Sequence, residues 1–199
     1  MSTVIMHAVV SVDGFIADED DDVGPLFDWY FNGTEPLVDP AGEAQHAPFR
    51  VTPTSWSYVR PFWDSIAATI QGRHLFDLTN GWEAQPPAGE HLLVVSHRPK
   101  PDGWHPEADV PFFDDPAAAV AEARRRAGEG VVAICAGDVG GQALALGLVD
   151  QVAMDVVPVV FGRGKRYFGR VDSQHLLGDP DVLQGKRVLH LRYPVSGTR

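Results

Sequence analysis

Val131-Val-Ala-Ile-Cys-Ala-Gly-Asp-Val-Gly-Gly-Gln-Ala-Leu144 is the stretch from which the rest of the chain is read. Residues 131–136 are apolar and rich in β-branched side chains, which predicts a short buried strand. Residues 137–141 are glycine-rich and predict a tight turn, and a helix is predicted from near Val139, closed by Gly147. Backbone without Cβ atoms can approach an anion closely, and a helix start offers unpaired N–H groups and the positive end of a dipole. Glycine turns of this kind also serve packing alone, so the stretch gains meaning only from what accompanies it.

The chain has 199 residues, 44% of them hydrophobic and 22% charged, which fits one globular domain over residues 1–199 with a sizeable core. A net charge of -11 argues against a nucleic-acid partner, which calls for a basic face. The single cysteine, Cys135, rules out an intrachain disulfide and, inside an apolar strand, reads as a small buried hydrophobe. There is no metal-ligand pattern, no bilayer-length apolar run and no signal-type N-terminus, so a cytoplasmic protein with no membrane partner is expected.

Taken in order, residues 4–12 form a nearly continuous apolar run, a strand buried on both faces. Asp13-Gly14 ends it as a turn, and the acidic run 18–22 reads as a solvated loop. Four aromatics, Phe27, Trp29, Tyr30 and Phe31, surround Asp28. They read equally as a cluster covering the sheet and as a pocket wall for a planar ligand. Residues 34–53 show no period and read as a long excursion, a lid or a subunit contact. Thr54 or Ser55 is expected to cap a short helix to Val59, interrupted at Pro61. Strands are expected at 66–71, 91–96 and 110–113, with a short helix after Gly72 stopped by Gly81. Asp115-Pro116 opens a helix to about Ala127, with Val120, Ala123 and Ala127 on one stripe. Residues 149–160 form a β run broken at Pro158, and Leu176-Leu177 and 188–193 are expected as the last two strands. The alternation predicts an α/β protein: a three-layer α/β/α sandwich around a mostly parallel sheet with an antiparallel C-terminal edge.

Three strand ends carry small or cationic residues: Gly72-Arg73-His74, Ser96-His97-Arg98 and Gly137-Asp138-Val139-Gly140-Gly141. Ligands of such sheets gather beyond the carboxyl ends of the strands. If these ends are neighbours they frame one groove. The glycine turn suits a pyrophosphate, and Arg73 and Arg98 with the Ser96 hydroxyl suit a monophosphate, because guanidinium groups fork onto phosphate oxygens. That set favours a dinucleotide bearing a ribose 2′-phosphate, NADPH over NADH. The G-x-G-x-x-G fingerprint is absent, which disfavours a standard Rossmann domain.

Ser11-Val-Asp-Gly14, Gly72-Arg73, 94–98, the 137–141 turn, Gly147-Leu-Val-Asp150, Pro158-Val-Val-Phe-Gly-Arg-Gly164 and Tyr167-Phe168 occur in the order of a known pattern. With these motifs the chain resembles the dihydrofolate reductase-like superfamily. Within it, the chain is most similar to the C-terminal reductase domain of the bifunctional riboflavin-pathway deaminase–reductase and its stand-alone bacterial relatives. The resemblance implies a dihydrofolate reductase-like fold, NADPH as hydride donor and a homodimer. By position it implies cofactor contacts from Gly72 to His74, Ser96 to Arg98 and Gly137 to Gly141, with Val9, Val10 and Ile16 flanking the nicotinamide. The zinc-binding deaminase half is missing, since there is one cysteine and no H-x-E…P-C-x-x-C. Asp28 lies in the neighbourhood of the folate-site acid.

The expected activity is hydride transfer from NADPH to a small planar heterocycle or carbonyl compound, as in 5-amino-6-(5-phosphoribosylamino)uracil reductase or dihydrofolate reductase. The alternatives are a nucleotide- or pterin-binding dimeric module without catalysis and a purely structural dimer. The candidate proton donors are Asp28 and, second, Asp13, which also reads as a plain turn residue. His46 and Tyr30 are further candidates. Asp150 and Asp155 read as structural or exposed, and His175 and His190 as core or interface residues.

Overall fold

The computed structural model describes residues 2–37 and 49–196. In chain order its strands are β1 (Val4–Ser11), β2 (Phe15–Ala17), β3 (Glu35–Pro36), β4 (Arg50–Val51), β5 (Ile66–Gly72), β6 (His91–Val95), β7 (Phe112–Phe113), β8 (Val131–Cys135), β9 (Gln151–Val157), β10 (Lys165–Arg166), β11 (Asp181–Gly185) and β12 (Val188–Pro194). The helices are α1 (Pro53–Ser65), α2 (Arg73–Thr79), α3 (Pro116–Ala127) and α4 (Asp138–Ala145), and a 3-10 helix spans Gly24–Phe31.

Eight strands form one sheet in the order β11-β12-β9-β1-β8-β5-β6-β7. From β9 to β7 every pairing is parallel, and β12 and β11 close the other edge antiparallel. Side chains alternate across the sheet and so fill two layers. Met6 and Val10 face α3 and α4, packing with Ile70, Ile134, Val120 and Leu144. Ile5 and Val9 face the other way, against Phe62 of α1 and against Leu26 and Trp29 of the 3-10 helix. On that same side Phe76 of α2 covers Leu92 and Val94 of β6. The fold is therefore the expected sandwich with a mixed, mostly parallel sheet. Among the described residues no helix is long and apolar enough to cross a membrane.

Local signals set most of the boundaries. The Asp115 carboxylate accepts from the N–H groups of Ala117 and Ala118 at the start of α3, as an N-cap should. α1 differs from expectation. Its cap is Thr52, whose hydroxyl accepts from Ser55 N–H, and it runs through Pro61 to Ser65. An internal proline costs about 3 kcal/mol, and the burial of Val59 and Phe62, worth roughly 1.5–3 kcal/mol each, offsets it. α2 ends one residue earlier than expected, because Asn80 takes the left-handed conformation at φ 48°.

The penultimate strand is Asp181–Gly185, not Leu176-Leu177. It pairs in a tight hairpin with β12 around Lys186-Arg187, whereas Leu177 makes only one bridge, to Val195. Of the 34–53 excursion, residues 38–48, with His46, lie outside the described residues. Its ends, β3 and β4, pair antiparallel.

Candidate functional site

The three predicted strand ends lie side by side. β8, β5 and β6 are consecutive and parallel, so 137–141, 72–74 and 96–98 follow one edge of the sheet. Close packing ties them together. A Cβ on Gly72 would lie 2.9 Å from Cγ2 of Val139, so the absence of a side chain at the end of β5 lets α4 dock there.

Arg73 and Arg98 converge. Arg73 Nε donates to Oδ1 of Asp77 at 2.7 Å, and Arg98 donates from a terminal nitrogen to Oδ2 of the same carboxylate at 2.7 Å. Arg73 also donates to the Pro99 carbonyl, which fixes it to the loop after β6. The Arg73 hydrogen bond, with help from Arg98, outweighs desolvation and holds the Asp77 carboxyl below its usual range. Two guanidinium groups around one anionic group are the arrangement a phosphate monoester needs.

Other predicted contacts are otherwise engaged. The Ser96 hydroxyl donates to the Arg98 carbonyl at 2.6 Å and accepts from Arg98 N–H, so it shapes the turn. His97 is exposed. His74 pairs with Asp21 at 2.8 Å, so the acidic run, expected to be merely solvated, is tied back to the end of β5. In the glycine turn Gly137 adopts φ 102°, which a residue with a side chain rarely tolerates, and its N–H donates to the Tyr167 carbonyl at 2.6 Å. Gly140 is packed on Met6 and the Cys135 carbonyl, and Gly141 on the Phe168 carbonyl. These two glycines therefore serve packing. Asp138 is exposed and Val139 half-buried, and the first N–H groups of a helix have no acceptor within it. Val9 and Val10 are buried in the two opposite cores, while Ile16 lies at the rim, its Cδ1 3.6 Å from where a Gly137 Cβ would stand.

The two candidate acids do not fit proton donation. Asp28 sits on the outer, exposed side of the 3-10 helix, whose buried positions are Leu26, Trp29 and Tyr30. Asp13 accepts from the Ser11 hydroxyl at 2.6 Å and from the N–H groups of Phe161 and Gly162. The Ser11 hydrogen bond is the largest influence, and together these contacts keep the Asp13 carboxyl below its usual range, so it holds no proton near neutrality. Tyr30 is buried, and desolvation raises its phenol well above the usual value. Cys135 is half-buried rather than buried as expected, and desolvation pushes its thiol up to about 12, consistent with an inert side chain.

Sequence reasoning passed over a buried polar chain on the α1 side of the sheet. Asp155 Oδ1 accepts from Nδ1 of His190 at 2.6 Å, and its Oδ2 meets Nε2 of His7 at 3.0 Å. Nε2 of His190 meets the Ser55 hydroxyl at 3.0 Å. Asp155, His190 and Ser55 are each at most 2% exposed. Burial by itself raises the Asp155 carboxyl, but hydrogen bonds from His190 and His7 outweigh it and bring it to about 2. The signal was available: all three strand residues occupy inward positions of otherwise apolar strands, His7 between Ile5 and Val9, Asp155 between Ala153 and Val157, His190 near Val188.

A cavity of about 730 Å³ is lined by Asp13, Gly14, Leu144, Arg166, Arg170 and His175 among others, and shares only Asp13 with the predicted site residues.

The same architecture, a mixed and mostly parallel sheet between helical layers, is found in solved structures. Among solved structures the chain is similar to a protein assigned to riboflavin biosynthesis from Shewanella sp. PV-4, with a TM-score of 0.63 and 18% identity over 99% of this chain and 100% of that one. It is similar to the pyrimidine reductase-like protein of Corynebacterium diphtheriae, with a TM-score of 0.61 and 14% identity over 99% and 93%. The diaminohydroxyphosphoribosylaminopyrimidine deaminase/5-amino-6-(5-phosphoribosylamino)uracil reductase of Thermotoga maritima gives a TM-score of 0.61 at 12% identity, and the chain spans 57% of that protein. No family model matches the chain. No curated protein matches it by sequence. At these identities the likeness establishes the fold.

Proposed function

We propose that the chain is an NADPH-dependent reductase acting on a small planar heterocycle or carbonyl compound, as a cytoplasmic homodimer. The observation that carries this reading is the convergence of Arg73 and Arg98 on one carboxylate at adjoining strand ends. Such a pair suits the 2′-phosphate that distinguishes NADPH from NADH. A helix start offers N–H groups to a pyrophosphate, and Asp138 at the start of α4 is exposed. When bound, the cofactor supplies a hydride. The protein's part is to hold the acceptor in line, exclude water and manage one proton.

Fluorescence titration of the pure protein tests the reading. Micromolar binding of NADPH and at least about tenfold weaker binding of NADH, in line with loss of a charge-assisted pair, are expected. No binding, or equal binding of the two, overturns it. The exposure of Asp28 and the hydrogen-bonded state of Asp13 favour a second reading, a binding module without catalysis. Cofactor bound but never oxidised across a panel of pteridines, aminouracil ribotides and quinones would decide for that module.

A further inference from the structure

Resting on the reductase reading, we propose that His7 is the catalytic proton donor, with Asp155 and His190 as the residues that position it. The residues that carry this inference belong to the buried polar chain, not to the groove residues discussed above.

His7 is the one member of the chain with an open side. Its side chain is 20% exposed, against 2% for Asp155 and 0% for His190. Nε2 is committed to Asp155. An ionised carboxylate only accepts, so Nε2 carries a proton and Nδ1 is the nitrogen left over; among the described residues it has no hydrogen-bond partner. On the other side of Asp155, His190 is locked: its Nδ1 donates to the carboxylate and its Nε2 meets Ser55. Phe62 holds the His7 ring edge-on at 5.1 Å.

The register places His7 at the groove. It pairs with Cys135, the last residue of β8, and its carbonyl accepts from Ala136 N–H, the residue before Gly137. On the same face, next to Cys135, stands Gln71, since both directly follow the paired residues Ile70 and Ile134. Gln71 is 0% exposed, and neither its amide oxygen nor its amide nitrogen has a partner. A buried amide without partners is costly and points to a polar ligand edge at this position. The β1 end of this row borders α1 and the 3-10 helix, which pack on Ile5 and Val9, and beyond its β5 end α2 covers β6.

The order Ser55–His190–Asp155 matches the hydrogen-bond order of a nucleophilic triad, yet it does not serve that chemistry. Ser55 is 1% exposed, and Gly185 backs directly onto its hydroxyl. The chain instead points outward through His7. Cys135 on β8 pairs with His7, and the Arg192 guanidinium on β12 lies at 4.8 Å over the same Phe62 ring that meets His7.

The step balances. Reduction of a C=N or C=O bond adds a hydride to carbon, the π pair moves onto the heteroatom, and that atom takes the proton from Nδ1 of His7. The ring passes from imidazolium to neutral and is reprotonated from solvent, while its Nε2–H stays on Asp155.

NADPH binding to the wild-type protein is measured first; its absence removes the reductase reading and this inference with it. His7→Gln retains a side-chain donor for Asp155, and thermal unfolding checks its fold. With NADPH affinity held within about twofold, its turnover of the panel compound that the wild type reduces is expected to fall about 100-fold. His7→Ala leaves a ring-sized gap, and free imidazole is expected to restore its turnover at least about tenfold. A readout independent of turnover is histidine-selective ¹⁵N NMR with NADP⁺ bound: the same panel compound moves the His7 ring nitrogens and leaves those of His190 in place. Wild-type turnover in His7→Gln, no rescue by imidazole, or unmoved His7 signals overturns the proposal. So does cofactor binding with no panel compound reduced.

Discussion

The Asp155 carboxylate and the His190 imidazole meet at 2.6 Å where neither is more than 2% exposed. A buried ion of this kind persists only with its partners in place. Asp155→Asn removes the charge and replaces one accepting oxygen by an NH2 group, so one of the two imidazoles loses its acceptor; it is expected to cost about 3 kcal/mol, read by urea unfolding. The Asp155 carboxyl titrates at about 2 in the folded chain, below the unfolded value of about 3.9. Its stabilisation is therefore full above that unfolded value and is lost as pH falls through the folded one. The gap between wild type and Asp155→Asn should be widest near neutrality and shrink between about pH 4 and pH 2.

Asp77 competes with any phosphate for Arg73 and Arg98. Asp77→Asn weakens that competition, and NADPH affinity is expected to rise several-fold. Arg98→Ala removes one fork and is expected to weaken NADPH about tenfold with NADH unchanged. Parallel titrations of the two cofactors at one salt concentration check both, since the effect on an exposed pair is screened by salt.

Tyr167 is fully buried, and its hydroxyl lies 2.7 Å from the Ala153 carbonyl and 3.0 Å from that of Met6. It links β9 and β1 beneath the polar chain. Tyr167→Phe removes one donor without a change of shape and is expected to cost about 1 kcal/mol, seen as a lower urea midpoint with an unchanged slope.

At Gly141 a methyl group would collide with the Phe168 carbonyl. Gly141→Ala is expected to destabilise by about 1–3 kcal/mol. It should also weaken NADPH, because the 167–171 segment is anchored to the start of α4 through Gly137 N–H and Tyr167. Thermal unfolding and cofactor titration of one preparation separate the two effects.

Much of the architecture was legible in local chemistry. The Asp115-Pro116 cap, the apolar runs of β1 and β8 and the glycine turn after β8 act over a few residues, so sequence alone placed them. Pro61 and Leu176-Leu177 misled for the same reason in reverse. Local propensity stops a helix at proline and makes a strand of two leucines, whereas burial of Phe62 carries α1 onward and pairing with β12 selects Asp181–Gly185.

By itself the sequence determined the α/β alternation and the presence of cationic and glycine-rich strand ends, because periodicity, caps and turns are written in near neighbours. Only the tertiary structure decided that Arg73 and Arg98 share one carboxylate, that Gly140 and Gly141 are packing positions, and that Asp155 is a buried anion between His7 and His190. His7 and Asp155 are 148 residues apart in the chain, and Asp155 and Ser55 are on elements with no local relation. Charge state and access follow from what surrounds a group in space, and that is set by sheet order and register.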